Sequence, residues 1–233
     1  MKDPEPLIPK YGGYRKLKSY RMAQLIRDVT ALFCERFVDE ESRTWERMMQ
    51  AAESGAQKIA EGSQAGEGSK KTELKLTTIA RASLDELRLL YVGFLRQQEL
   101  PLWDPEDPRR AEMVARRPRS LDDVAQWALW AENNGGQHGQ DELDPQNGQK
   151  GRDGRNGHPI EPRTQSTQST LSTESIPPGA SAHAETLANG ALALIAMAFS
   201  VLDRQLSAQT RIVRHEANLA ERLRRSRLAE WPE

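Results

Sequence analysis

Residues 54–76 read SGAQKIAEGSQAGEGSKKTELKL, and this stretch decides between two fold classes. A phosphate-binding loop of an α/β protein needs a preceding strand and the order G-x-x-x-x-G-K-[ST]. The nearest register is GEGSKKT at 66–72, where Lys70 replaces the second glycine and the preceding residues are alanine-rich and helical in pattern. We therefore interpret the stretch as two helices joined by a turn, with Gly62 as a left-handed C-cap and Ser69 as an N-cap.

Helical periodicity extends to both sides of this turn. Apolar residues at steps of three and four predict a first helix from Tyr14 to about Val38. Asp39 and Ser42 are N-cap candidates for the second helix, whose inner face consists of small residues. That face consists of Ala51, Ala52, Gly55, Ala56 and Ala60. The third helix begins after Ser69, and Pro101 with the DPEDP run at 104–108 marks its end.

The second half of the chain contains two further helical patterns. SLDDVAQWALWAENN, at 120–134, predicts a short helix that begins at Ser120. The segment from Gly135 to Ala182 is rich in Gly, Gln, Ser, Thr, Asp and Pro, and this composition predicts a disordered linker. The strongest helix of the chain is predicted to start at Glu185.

Four long amphipathic helices without a strand pattern predict an all-α fold, an antiparallel four-helix bundle with a long disordered insertion before the last helix. The predicted segments are an irregular start at 1–13, three bundle helices at 14–103, a short-helix segment at 104–134, the linker at 135–182, and a C-terminal helix with a basic tail at 183–233.

Composition narrows the function classes. Cys34 is the single cysteine, which excludes an intramolecular disulfide and a cysteine-based metal cluster. The N-terminus has no apolar run of signal-peptide length, and the most apolar run, Ala191 to Val201, is too short to span a bilayer. We therefore expect a cytoplasmic protein that does not enter a membrane.

Candidates for chemistry are few. His183 and Glu185 lie at the predicted linker boundary, and no H-E-x-x-H pattern occurs. We expect Glu61 to bind backbone donors of the turn between the second and third helices. The sequence therefore predicts no catalytic residues, no metal site and no cofactor.

Basic residues cluster in three places although the net charge is only −1. Local positive fields of this kind suit phosphate backbones. The predicted nucleic-acid-binding residues are Arg15, Lys16, Lys18, Lys58, Lys70, Lys71, Lys75, Arg222, Arg224, Arg225 and Arg227. The tail cluster also includes Arg211 and Arg214, and no aromatic residue interleaves its arginines, so we expect contacts that read little sequence.

Several strings resemble the bacterial four-helix bundle proteins first noticed as products of intervening sequences in large-subunit ribosomal RNA genes. They are AAESGAQKIAEGS at 51–63, SKKTELKLTTIARASLDELR at 69–88 and FLRQQELPLW at 94–103. LDRQL at 202–206 and ERLRRSR at 221–227 resemble the C-terminal suffix domain of one variant. The chain departs from that pattern at Lys58, where asparagine is usual. It also has HEANLAERL where a glycine pair is usual, which predicts a helix that runs on unbroken.

The resemblance implies a homopentamer with a central channel and no catalysis. Similar bundles include the accessory variability proteins of diversity-generating retroelements, which bind nucleic acid and a reverse transcriptase. The leading hypothesis is thus a non-enzymatic, homo-oligomeric RNA- or DNA-binding accessory protein that partners a reverse transcriptase. The alternative is a protein–protein interaction scaffold that binds no nucleic acid.

Overall fold

The structure, a computed structural model, describes residues 13–134 and 178–230, with side chains at 13–134 and 180–226. Every regular element in these ranges is helical. A short 3-10 helix at Gly13–Lys16 is followed by α1 (Lys18–Phe37), α2 (Arg43–Ala65), α3 (Lys70–Gln97), α4 (Pro108–Arg116), α5 (Leu121–Asn134) and α6 (Pro178–Glu230). The predicted all-α fold class is confirmed for the described residues.

Two serines begin helices as predicted. Ser42 Oγ accepts a hydrogen bond from the backbone nitrogen of Trp45 at 3.1 Å, and Ser69 Oγ accepts one from that of Thr72 at 3.2 Å. Each side chain satisfies a first-turn N–H that has no partner within its helix. Residues 54–76 are therefore two helices joined by a turn, and a phosphate-binding loop after a strand is excluded.

The predicted C-cap at Gly62 is wrong. α2 continues to Ala65, and the next residue, Gly66, has a right-handed backbone with φ −63°. Gly62 is buried inside α2, where an added Cβ would lie 3.2 Å from Leu76 Cβ of α3. This glycine serves the close approach of two helices and does not end one.

The small inner face of α2 packs as predicted. Ala52 and Ala56 are buried, and an added Cβ on Gly55 would lie 2.7 Å from Leu84 Cδ2. Small side chains let the backbones of α2 and α3 come close together, so a larger residue here would displace its neighbours.

A helix at Pro108–Arg116 was not predicted, because the DPEDP run was interpreted only as the end of the third helix. The start of α4 has an N-cap signal in its sequence, but the proline-rich run at 104–108 was interpreted as a helix end. Asp107 Oδ1 accepts a hydrogen bond from Arg109 N at 2.8 Å, and Pro108 occupies the first turn. Proline is favoured there because it has no N–H to leave unpaired.

The last helix is longer than predicted. α6 spans 53 residues from Pro178 and runs unbroken through HEANLAERL, as expected from the missing glycine pair. Of the predicted linker, 135–177 lies outside the described residues, whereas 178–182 is helical, so the predicted end of the linker is wrong. His183 explains the early start, because its ring packs against Phe37 and its Nδ1 lies 2.5 Å from Glu132 Oε1.

The long helices contact one another in a closed order. α1 packs against α2 and α6, and α3 packs against the same two helices. α6 runs in the opposite direction to α1, since Ser19 at the start of α1 meets Gln205 and Phe37 at its end meets His183. α4 and α5 lie against α6 and place the buried Trp127 beside Gly190.

Candidate nucleic-acid interface

One end of the molecule is formed by the starts of α1 and α3, the last turns of α2, and the C-terminal part of α6. Two side-chain contacts fix α6 there. Ser19 Oγ donates to Gln205 Oε1 at 2.7 Å, and Gln209 Nε2 donates to Glu73 Oε1 at 2.9 Å. We call this region the basic end, and residues 210–226 of α6 the α6 extension.

The three clusters that the sequence predicts all lie at the basic end or on the α6 extension that projects from it. They come from the start of α1, from the first two turns of α3, and from the α6 extension, with Lys58 about two turns before the end of α2. The predicted residues with described side chains here are Arg15, Lys16, Lys18, Lys58, Lys70, Lys71, Lys75, Arg222, Arg224 and Arg225. The side chain of Arg227 lies outside the described residues.

Lys58 is held by a neighbour on its own helix. Its Nζ lies 2.7 Å from Glu61 Oε2, and Gln57 Nε2 donates to the other carboxylate oxygen at 2.7 Å. The hydrogen bond from Lys58 lowers the pKa of Glu61. The expectation that Glu61 binds backbone donors of the turn is therefore wrong, and Lys58 already has a carboxylate partner.

The lysines of α3 differ among themselves. Lys70 Nζ lies 3.1 Å from Glu73 Oε2, the carboxylate whose other oxygen binds Gln209. Lys71 and Lys75 are exposed. Glu73 therefore links the start of α3 to α6 and holds Lys70, whereas Lys71 and Lys75 project into solvent.

The start of α1 presents its basic groups to solvent. Lys16 and Lys18 are exposed, and the exposed Arg15 guanidinium lies 5.9 Å from the centre of the Tyr14 ring. Arg21 Nε donates to the Arg15 carbonyl at 3.1 Å, which ties α1 to the 3-10 helix before it.

The α6 extension leaves the packed part of the molecule after Gln209. From Thr210 to Ser226 every residue is exposed except Val213 and Glu221, which are half-buried. α6 continues to Glu230, so it reaches about 30 Å beyond Gln209. Its side chains are therefore open to a partner on most sides.

The arginines of the extension fall into two groups. Glu221 binds Arg224 Nε at 3.2 Å and Arg225 Nε at 2.9 Å. Among the described side chains no carboxylate forms an ion pair with Arg211, Arg214 or Arg222. The first two of these were assigned only to the tail cluster and not to the predicted site, although their lack of an acid at helical spacing could have identified them.

Cys34 and Glu185, two side chains that could in principle react or bind a ligand, are held inside the packed structure. Burial raises the pKa of the Cys34 thiol to about 12, so the group stays protonated and inaccessible. Glu185 Oε1 accepts from Trp103 Nε1 at 2.5 Å, so it is fixed and does not lie on a flexible boundary. Within 13–134 and 178–230 no cluster of three or more His, Cys, Asp or Glu side chains is arranged to hold a metal ion.

α6 also contains one 18-residue stretch that is apolar enough, by composition, to cross a membrane. Of that stretch, 67% is buried inside the protein. A helix in the core of a folded protein has the same apolar composition and the same burial.

The opposite end of the molecule contains a second group of arginines, which was not predicted as a cluster from the sequence. The guanidinium of Arg109 lies 3.7 Å from the centre of the Trp103 ring and binds Asp107, whose pKa it lowers. Arg110 donates to the Trp103 carbonyl at 3.0 Å, and Arg116 pairs with Glu112 at 2.8 Å. These arginines hold α4 in place.

No protein-family model matches the chain, and neither the curated proteins nor the solved structures contain a match.

Proposed function

We propose that this protein is a non-enzymatic accessory protein that binds the phosphate backbone of RNA or DNA through its basic end. One observation carries the proposal: three basic clusters from distant parts of the chain lie at the same end of the molecule. Lys16 and Lys18, Lys71 and Lys75, and the arginines of the α6 extension come from three separate parts of the chain. Their convergence provides several cations for one polyanion.

α2 ends at the basic end with partial negative charge, so the helix dipoles give no large net field there. α1 and α3 begin at this end, and their N-termini carry partial positive charge. Lysines at these positions oppose the dipoles of their own helices, a cost that an anionic partner would remove. The described aromatic residues of this end are Tyr14 and Tyr20, whose rings pack edge to face with centroids 4.9 Å apart, and the α6 extension has none. The binding we propose therefore follows the backbone and reads little sequence.

The finer architecture belongs to the same proposal. The closed order of contacts among α1, α2, α3 and α6 supports an antiparallel four-helix bundle. Assembly into a homopentamer and partnership with a reverse transcriptase rest on the resemblance of the strings at 51–63, 69–88 and 94–103. In such an oligomer the basic end would repeat once per subunit, and many weak phosphate contacts would act together. We place this activity in the cytoplasm.

The second candidate is an interaction scaffold that binds no nucleic acid. Exposed apolar side chains on the α6 extension favour it, since Leu219 and Leu223 are each more than half exposed. Both functions could use the same helix, but only the first requires the arginines to meet phosphates.

The test is fluorescence anisotropy of labelled structured RNA and duplex DNA over a range of salt concentrations. The variant changes the four predicted tail residues Arg222, Arg224, Arg225 and Arg227 to glutamine. We expect weaker binding and a smaller dependence of log affinity on log salt, by about 0.7–0.9 for each phosphate that is no longer neutralised. Helicity and oligomer size should stay unchanged.

The control is Arg117→Gln with Arg119→Gln, which removes two exposed arginines from the opposite end of the molecule. It should bind as the wild type does. Equal binding by the tail variant and the wild type would refute the proposed interface. A wild type that binds neither RNA nor DNA would favour the scaffold.

A further inference from the structure

The face of α6 that is buried in the packed part of the molecule continues into the α6 extension. Positions alternating by three and four residues form a seam. Its members are Ile195, Ala198, Leu202, Gln205, Gln209, Ile212, Glu216, Leu219 and Leu223. The first three are fully buried, whereas the exposed fractions of Ile212, Leu219 and Leu223 are 45%, 51% and 56%. This spacing drifts by only about 20° per seven residues on a straight helix, so the exposed residues continue the packed seam with a slow rotation around α6.

The seam becomes exposed where the neighbouring helices begin. Ser19, in the first turn of α1, meets Gln205, and Glu73, in the first turn of α3, meets Gln209. Among the described residues nothing covers Leu219 and Leu223 beyond those contacts. The exposed seam from Ile212 to Leu223 is about 17 Å long, enough for another helix of about three turns to lie along it.

Charge limits what can cover the seam. The α6 extension contains five arginines and two glutamates, a formal net charge of +3. Arg222 lies beside the apolar positions, while Arg211, Arg214 and Arg225 occupy the remaining surface of the helix. A second copy of this extension would bring like charges together, which disfavours pairing.

Glu216 limits it further. This carboxylate belongs to the seam between Ile212 and Leu219. On a bilayer it would face the acyl chains together with the apolar residues, and an unpaired buried carboxylate is costly. A partner helix can instead place a lysine or arginine opposite it, as a polar seam position does when it sets register. Gln209, the preceding polar position of the seam, has a polar partner on a neighbouring helix in the same way, since it donates to the Glu73 carboxylate of α3.

We propose that the exposed seam of the α6 extension binds an amphipathic helix of another protein, with leucine-like residues at its own three–four spacing, acidic flanks, and one cation that pairs with Glu216. The partner helix would pack against the same face of α6 that α1 and α3 cover nearer its start. This goes beyond the proposed nucleic-acid binding, because it uses the apolar face and not the arginines.

The test uses the full chain and a fluorescently labelled three-heptad peptide with leucine at positions a and d, glutamate at e and g, and lysine at one central a position. Anisotropy should show binding by the wild type. Leu219→Ser with Leu223→Ser should weaken it at least about tenfold, because two apolar side chains no longer pack against the peptide. Leu129→Ser, which changes a leucine that is 61% exposed on α5, should have no effect.

A second peptide with lysine at e and g should bind more weakly than the acidic one. Glu216→Lys should weaken binding of the acidic peptide, because its central lysine then meets a cation. RNA affinity of the Leu219/Leu223 variant should equal that of the wild type, which separates this proposal from the function above. Circular dichroism and thermal melting should confirm that the variant is folded.

Four results would overturn the proposal. The first is the absence of acidic-peptide binding, or equal binding by the Leu219/Leu223 variant. The second is self-association of the chain in sedimentation that this variant abolishes, which would assign the seam to a second copy. The third is cosedimentation with phosphatidylcholine–phosphatidylserine vesicles that the variant abolishes, which would assign it to a membrane. The fourth is abolished RNA binding in the variant, which would make the seam part of the nucleic-acid interface.

Discussion

The segment at 104–134 and the α6 extension contain five arginines each, yet they differ in what surrounds those arginines. The first segment has seven acidic residues and a formal net charge of −2, whereas the extension has two and a net charge of +3. In the first, Arg109, Arg110 and Arg116 bind carboxylates, a tryptophan ring and a carbonyl. In the second, Arg214 and Arg222 have no carboxylate partner among the described residues. The neighbours of an arginine, and not its density in sequence, therefore decide whether it stabilises the fold or remains available to a ligand.

The largest expected effect tests whether the α4–α5 end is structural. Trp127 is fully buried and its Nε1 donates to the Arg109 carbonyl at 2.9 Å. Trp127→Ala should lower the free energy of unfolding by about 3–5 kcal/mol, measured by urea denaturation. Trp130→Ala, at a half-buried neighbour on α5, should cost less. If Trp127→Ala instead weakens RNA binding while the protein remains folded, the two ends are not functionally distinct.

A smaller decrease in stability should follow a substitution in α2, in the part of the molecule between the two ends. Ala52 is fully buried on the inner face of α2. Ala52→Leu should overpack this contact and cost about 1–3 kcal/mol in thermal or chemical unfolding, with an unchanged salt dependence of RNA affinity. Gln50→Leu, at an exposed position of the same helix, is the control. A neutral Ala52→Leu would contradict the close packing of the inner face of α2.

The smallest expected effect on stability concerns the acid that holds Arg109. The hydrogen bond from Arg109 lowers the pKa of Asp107, so the ionised carboxylate stabilises the folded state above about pH 4 and this stabilisation disappears as pH falls through the lowered pKa. Asp107→Asn keeps a cap and removes the charge, and should cost about 1–2 kcal/mol at pH 7. The difference from wild type should shrink in denaturation curves below about pH 4. A stability difference between Asp107→Asn and the wild type that does not change with pH would show that the charge of Asp107 does not stabilise the fold.

Local signals let the sequence predict much of the fold. Ser42 and Ser69 were identified as caps because a cap depends on residues within one turn. Gly62 was misassigned because a glycine that ends a helix and one that admits a neighbour look alike until Leu76 is placed beside it. The α4 helix was missed although Asp107 and Pro108 form a start signal, since its burial depends on distant α6.

The candidate site was predictable in its clusters but not in its individual members. The pairs Lys58–Glu61 and Glu221–Arg225 have helical spacings of three and four, so sequence alone could have identified these cations as partnered. The convergence of the three clusters could not be read from sequence, because it depends on which helices α6 contacts. The role of Arg109 likewise depends on Trp103 and on the long-range neighbour Glu185.

The most direct test of the proposed interface is the salt dependence of RNA affinity in two charge-matched variants. One changes Arg214 and Arg222 of the α6 extension to glutamine, and the other changes Arg109 and Arg116 of α4. We predict that the first flattens the plot of log affinity against log salt by about 1.4–1.8, at about 0.7–0.9 per phosphate, and that the second leaves the slope unchanged at temperatures where it is folded. Equal slopes in the first variant and the wild type, or a flattening produced by the α4 variant, would contradict the assignment of phosphate binding to the basic end.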